Sequence, residues 1–376
     1  VRERGGSRGN ESEADRPTEG RIESADRRAG DGDAIDLVEQ SLAEMLGVTH
    51  VIALELGCLG PMMAFEAAGL GPKDHVLLSP FASPAVAHAL ALRGCAATLV
   101  DTDRVRPQMK LDVLKKSITR RTRAIVATHV GGCFAQMDEI LDIALDRGLI
   151  VIEEASGMAG CRYRAYEAGS LGHAAFVDMG AAQAFAGCAG GFLATSVDTL
   201  AERARIFARG GRTRPNLGAS MSMGIETVGF ECRMSEAQAA RVRACVEGVE
   251  ASIAQLTAVA RAYSQAFSGA REVTVPDWLR QDGPVAQYMV RIDFEAVPSS
   301  RTQIERAIQS HGFATDPPYR PLQSHPYFQQ ILKLKPGCAE SSEVWCRRAV
   351  PLPLGPRITE RDAREIAKTV RGLVGG

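Results

Sequence analysis

Two places in this 376-residue chain join a reactive group to a geometry that can use it. The first is Leu56-Gly-Cys-Leu-Gly60, which follows the apolar run Val51–Leu54 and opens a helix-spaced stretch. A turn of that kind aims unpaired backbone N–H groups at an anion. Glycine at a strand–helix junction is also ordinary turn chemistry, so both readings stay open. The second is His129, directly after the apolar run 124–127. An imidazole at a strand end can carry protons near neutral pH, or it can be a hydrogen-bonded part of the core.

Lysine sets the sharpest limit. Of 44 basic residues only seven are Lys, and none lies between Lys116 and Lys333. Chemistry that needs a lysine nucleophile from that stretch is excluded. No G-x-S-x-G, H-E-x-x-H, Walker or EF-hand pattern occurs. A net charge of −1 makes no electrostatic case for nucleic acid. No run of about 18 apolar residues marks a membrane span. The nine cysteines are an odd, scattered count without a C-x-x-C pair. They fit a reducing cytoplasm better than a disulfide framework or a zinc site, so no metal is expected.

The elements that must position these groups alternate. Residues 1–33 read as a solvated tail, because 16 of the 33 are charged and such a segment buries too little to offset its ordering entropy. From residue 34, Ile35, Val38, Leu42 and Met45 sit at helical spacing. Short apolar runs follow at 51–54, 76–78, 97–100, 124–127, 149–152, 175–177 and 192–194, with helical stretches between several of them. Continuous apolar strands between helices predict a mostly parallel sheet covered on both faces. A long helix is expected from Ser235, with Gln238 completing its capping box, to about Phe267. A strand at 288–292, a helix capped by Thr302 and Glu305, and a last helix after Thr359 complete the pattern. The expected division is a large α/β domain over 34–245 and a smaller α+β domain over 246–376.

Several blocks carry a family likeness. They are Gly69-Leu-Gly-Pro-Lys-Asp74, Ala127-Thr-His-Val-Gly131, Val151-Ile-Glu-Glu-Ala155, Gly190-Gly191, Arg233-Met-Ser-Glu-Ala-Gln-Ala-Ala240 and Pro351-Leu-Pro-Leu354. In order and spacing the chain resembles the DegT/StrS-type sugar aminotransferases, fold type I enzymes that depend on pyridoxal phosphate (PLP). The resemblance covers about residues 34–372. It implies a fold type I architecture, a symmetric dimer and a place in a biosynthetic pathway. It also implies a Lys that bonds PLP, and the ungapped count from Ala174-Ala175 to Gly190-Gly191 puts Gln183 there. Other family positions align with changed residues as well. Cys58 stands at the phosphate turn, Ser83 at the ring-stacking position, Gly157 near the ring oxygen, Asp178 before the Lys position and Glu231 before the Arg233 block. Glu154 stands where the family has the Asp that meets the pyridine nitrogen.

These differences give the expectation that no cofactor binds and that PLP is disfavoured. Glu154, Asp178, Gln183, Glu231 and His129 are then the candidate catalytic residues of a carboxylate-lined pocket, with Cys58, Ser83 and Arg233 as substrate-binding candidates. A cationic or amine-bearing small molecule, or a metal held by oxygen ligands, suits such a pocket. The acids can equally form ion pairs with Arg212, Arg214 or Arg233. Two other readings remain: a non-catalytic subunit paired with an active paralogue, and a Lys-free enzyme that holds PLP or its amine form non-covalently.

Overall fold

A computed structural model describes residues 34–185, 187–213, 224–279, 285–314, 320–335 and 337–375. The expected tail, residues 1–33, lies outside them. Seven strands make the main sheet: β1 (His50–Leu54), β2 (His75–Leu78), β3 (Ala96–Leu99), β4 (Thr122–Thr128), β5 (Ile150–Glu154), β8 (Ala174–Asp178) and β9 (Gly191–Thr195). The ribbon β6 (Arg162–Tyr163) and β7 (Tyr166–Glu167) lies between β5 and β8 in the chain. Strand order in the main sheet is β1-β9-β8-β5-β4-β2-β3. Every pairing from β8 to β3 is parallel, whereas β9 runs against both of its neighbours.

Alternation along the strands sends side chains to two apolar layers. Ile52, Leu54, Phe176 and Leu193 face one layer, built with α2 (Gly60–Ala67), α3 (Pro84–Arg93) and α6 (Asp198–Ala208). Val51, Ala53, Val177 and Phe192 face the other, with α1 (Ala34–Leu46). Further along that second face, Ile125, Ala127 and Val151 meet α4 (Leu111–Ser117) and α5 (Met137–Arg147). The expected mostly parallel α/β sheet, with helices on both faces, is what the chain forms.

The long helix expected from Ser235 is two helices. α7 (Glu236–Glu247) starts with the Ser235–Gln238 capping box, and Gly248 separates it from α8 (Val249–Ala266). The apolar spacing continues through Gly248, which is why the sequence hid the break. The carboxyl-terminal part holds a second sheet of β10 (Val273–Thr274), β11 (Met289–Ile292) and β12 (Ala349–Pro351). α9 (Arg301–Gln309), α11 (Glu340–Arg348) and α12 (Glu360–Val374) pack with it, whereas α10 (Pro326–Ile331) joins the layer of α2 and α3 through Phe328. The cap of α9 is Ser300 with Gln303, two residues before the expected pair.

Asp33–Gly376 forms one unit. Residue 245, the expected division, falls inside α7, and one apolar core continues from the main sheet through α8 to α12. Cys188 and Cys245 are joined as a disulfide, 57 positions apart. This corrects the expectation of unpaired cysteines: packing of the loop after β8 on α7 brings the two together, and spacing carried no sign of it. Among the described residues no helix is long and apolar enough to cross a membrane.

Phe192 is fully buried in the layer against α1, α7 and α8. Phe192→Ala should cost about 3–5 kcal/mol in urea unfolding, the usual loss for a large core aromatic. Thr359 caps α12 and exchanges hydrogen bonds with Asp362, so Thr359→Ala should cost about 1 kcal/mol in the same measurement.

Candidate active site

The parallel strands end side by side, and a cavity of about 580 Å³ lies at those ends. Thr128 closes β4, Glu154 closes β5 and Asp178 closes β8, and all three line it. The turn at Gly57–Cys58 and the segment Phe81–Ser83 after β2 add walls. Open α/β sheets bind ligands at this edge because loops diverge there and leave a crevice.

Glu154 is the best-held group in it. Its side chain is buried, and Thr128 Oγ1 donates to Oε2 at 2.8 Å. The Ser83 N–H lies 3.1 Å from Oε1 and 3.3 Å from Oε2. Ser83 can reach because it precedes α3, where Pro84 starts the helix without needing an N–H partner. Burial pushes the Glu154 carboxyl above the usual carboxylate range, and the donors from Ser83 and Thr128 oppose that push.

Its neighbour in sequence does something else. Alternation turns Glu153 away from Glu154, and the Glu153 side chain has no exposed surface. Glu153 accepts from the N–H groups of Gly169, Leu171 and Gly172 at 2.7, 2.9 and 3.1 Å. His129 Nε2 lies 2.9 Å from Glu153 Oε1, and His129 Nδ1 accepts from the Ala135 N–H at 3.1 Å. Both ring nitrogens of His129 are therefore engaged, and the ring packs on Phe134 at a centroid distance of 4.8 Å. His129 lines the cavity, but its imidazole is part of the wall's support.

Asp178 closes the adjacent strand, β8. Its N–H donates to Ser156 Oγ at 2.8 Å, and Oδ1 accepts from the Gly180 N–H at 2.9 Å. A Cβ on Gly57 would sit 2.6 Å from the Asp178 carboxyl and its Cα, so only glycine fits the turn. Cys58 is exposed at the rim.

The remaining candidates are elsewhere. Gln183 opens a short helical turn and lines a neighbouring cavity of about 240 Å³. Glu231 pairs with Arg212 at 2.8 Å and is mostly exposed. Arg233 lies 3.6 Å from Asp36, in a separate cleft beside α1 and β1. Arg214 lies outside the described residues. The chain thus gathers Cys58, Ser83, His129, Glu154 and Asp178 at one cavity, and leaves Gln183, Glu231 and Arg233 off its lining.

Sequence reasoning missed Thr128, Gln287, Arg320 and His325, which also line the cavity. Thr128 was legible, because it follows the apolar run 124–127 and directly precedes His129. Gln287 and Arg320 come from the carboxyl-terminal part, and no spacing links them to the strand ends. Among the described residues no group of three or more His, Cys, Asp or Glu could hold a metal ion.

The model of the DegT/DnrJ/EryC1/StrS aminotransferase family matches residues 19–371. The spore coat polysaccharide biosynthesis protein SpsC of Bacillus subtilis is 26% identical over 92% of this chain and 90% of its own length. The GDP-perosamine synthase of Caulobacter vibrioides is 29% identical over 86% of this chain and 85% of its own. The PLP-form of a putative sugar aminotransferase, Spr1654 from Streptococcus pneumoniae, superposes with a TM-score of 0.82 at 16% identity, covering 91% of each chain. An aminotransferase family model over nearly the whole chain, and a solved relative in its PLP-form, overturn the expectation that no cofactor is used.

The raised Glu154 carboxyl makes a pH prediction. Between the ordinary value, about 4.3, and its raised value, the folded state binds the extra proton. Stability therefore falls as pH rises through that window. Glu154→Gln should flatten this part of the urea-stability profile, and an unchanged slope would remove Glu154 as its source.

Proposed function

We propose, from the premise that the chain belongs to the DegT/DnrJ/EryC1/StrS aminotransferase family, that it binds PLP or the amine form PMP without a covalent bond. On this reading it acts on a small sugar-like substrate of nucleotide-sugar or specialised-metabolite biosynthesis. The observation that carries the reading is Glu154, a buried carboxyl with raised affinity for a proton, held by two donors at the cavity wall.

The residues present fit a pyridine ring at that end. When bound, PLP supplies an electrophilic carbonyl and an electron-withdrawing ring, and PMP supplies the amino group to be transferred. Glu154 holds a proton at the ring nitrogen. Thr128 and Ser83 keep its oxygens aimed, so no reorientation is needed when charge shifts. Gly57 and Cys58, entering α2, offer backbone N–H groups to a phosphate. Asp178 opposes a dianion at that turn, which weakens the hold without abolishing it. No lysine lies between Lys116 and Lys333, so retention rests on these contacts alone. Arg320 at the rim supplies a cation for an anionic part of the substrate. The likeness to the polysaccharide-biosynthesis protein and the perosamine synthase supports a sugar as that substrate.

Adding PLP or PMP to the purified protein should raise its melting temperature, by mass action worth about 2.7 kcal/mol at a ligand concentration 100-fold above Kd. Borohydride treatment with PLP should leave no cofactor mass on the chain. Glu154→Ala should lose the shift, and Asp178→Ser should tighten binding by about tenfold or more. No shift with either ligand would favour a non-catalytic subunit instead.

A further inference from the structure

Phe134, on which the His129 ring packs, belongs to the wall of another cleft, of about 410 Å³. Among the described residues this cleft shares none of its lining with the Glu154 cavity. The loop after β3, the segment after β4, the β6–β7 ribbon and Trp278 bound it. Its volume falls within the range of small-molecule pockets, about 300–1,000 Å³.

Its described lining carries three guanidinium groups, those of Arg106, Arg162 and Arg164, and one carboxylate, Glu139. Two of the three rest on aromatic rings. The Arg106 guanidinium lies 5.6 Å from the Trp278 ring centroid, and that of Arg164 lies 5.6 Å from the Tyr163 centroid. Each of the three also meets a carboxylate: Asp277 for Arg106, Glu167 for Arg162 and Asp138 for Arg164. Those acids stand outside the lining. The described pairs engage one nitrogen of each guanidinium, Arg106 Nη2, Arg162 Nε and Arg164 Nη1. A guanidinium carries five N–H donors, so donors remain for an anion in the cleft.

A ring and a carboxylate fix the Arg106 and Arg164 forks before any ligand arrives, which lowers the ordering cost of binding. The paired acids cancel much of the positive field. Recognition then rests on fork geometry, and a bare anion gains little from it. A ligand must also cover the apolar wall of Phe134 and Met158. A flat ring suits that wall and the planes of the guanidinium groups. Arg164 stands at φ +55°, in the turn that joins β6 to β7. Glycine would adopt that backbone more easily, yet the position carries a side chain that faces the cleft. We propose that this cleft binds a nucleoside monophosphate, with the phosphate on the arginine forks and the base against the Phe134 wall. The site stands apart from the cofactor reading, since it does not involve Glu154.

The test is calorimetric titration of the full chain with adenosine monophosphate, with adenosine and orthophosphate as separate arms. Wild type should bind the nucleotide, and each fragment should bind about tenfold more weakly or worse. The chain has two tryptophans, and Trp345 is buried. Binding should therefore change the emission of Trp278, and Trp278→Phe should lose that change. Arg164→Ala should weaken binding by about tenfold, as for one lost charge-assisted hydrogen bond, at an unchanged melting temperature. Arg164→Lys, which keeps the charge without the fork, should recover only part of the loss. Arg106→Gln should weaken binding from the other wall, and it serves if the Arg164 variants do not fold. No binding at millimolar nucleotide, equal binding of either fragment, or full binding by either arginine variant would overturn the proposal. So would an emission change that survives Trp278→Phe. Displacement by PMP would place the nucleotide in the Glu154 cavity and overturn it as well.

Discussion

A carboxylate without exposed surface governs the edge of the sheet where the cavity forms. Glu153 gathers three backbone N–H groups from the segment before β8, and the His129 ring from the end of β4. A buried charge is tolerated only when its oxygens are satisfied. The loop between β7 and β8 must therefore keep its shape for the sheet to remain intact. With β4, β5 and that loop fixed together, the next residues of each strand have fixed directions. Thr128 and Glu154 meet because their backbones are in register, and Ser83 completes the group from the neighbouring strand's loop.

The two acids in succession show how one strand serves support and chemistry together. Period-two alternation sends Glu153 and Glu154 to opposite faces of the sheet. One is held by many donors and belongs to the frame. The other keeps two donors and lies against open space. A single residue's slip in β5 would exchange these roles, so the register of β4 against β5 is as important to the site as the acids themselves.

Much of the fold was legible. Apolar runs gave all seven main strands within a few residues, since a parallel sheet buried on both faces needs uninterrupted apolar residues. The capping box at Ser235 marked a helix start, because a hydroxyl and an amide three residues on satisfy free N–H groups. The break at Gly248 and the Cys188–Cys245 link were not legible: the first leaves the apolar spacing intact, and the second depends on packing alone. At the site, Glu154 and Asp178 on their strand ends were found, whereas Thr128 and the residues from the carboxyl-terminal part were not. Gln287 reaches the cavity through a tertiary contact that no local pattern encodes. Glu231 forms the ion pair with Arg212 that the sequence offered as its alternative to a place in the pocket.

The reversed strand β9 also has a bearing on how the chain is made. Its pairing with β1 joins the two most distant parts of the main sheet, and beside it the Thr49 N–H reaches Ser196 Oγ, 147 positions later. As a ribosome releases the chain, β2, β3, β4 and β5 can assemble with partners close behind them. β1 has no neighbour until β9 emerges. Through that interval Val51, Ile52, Ala53 and Leu54 present an unpaired apolar edge, a surface that chaperones hold and that aggregates recruit. Late closure of so wide a loop also slows folding. The strand that leads into the cavity is thus the last of the sheet to find its place.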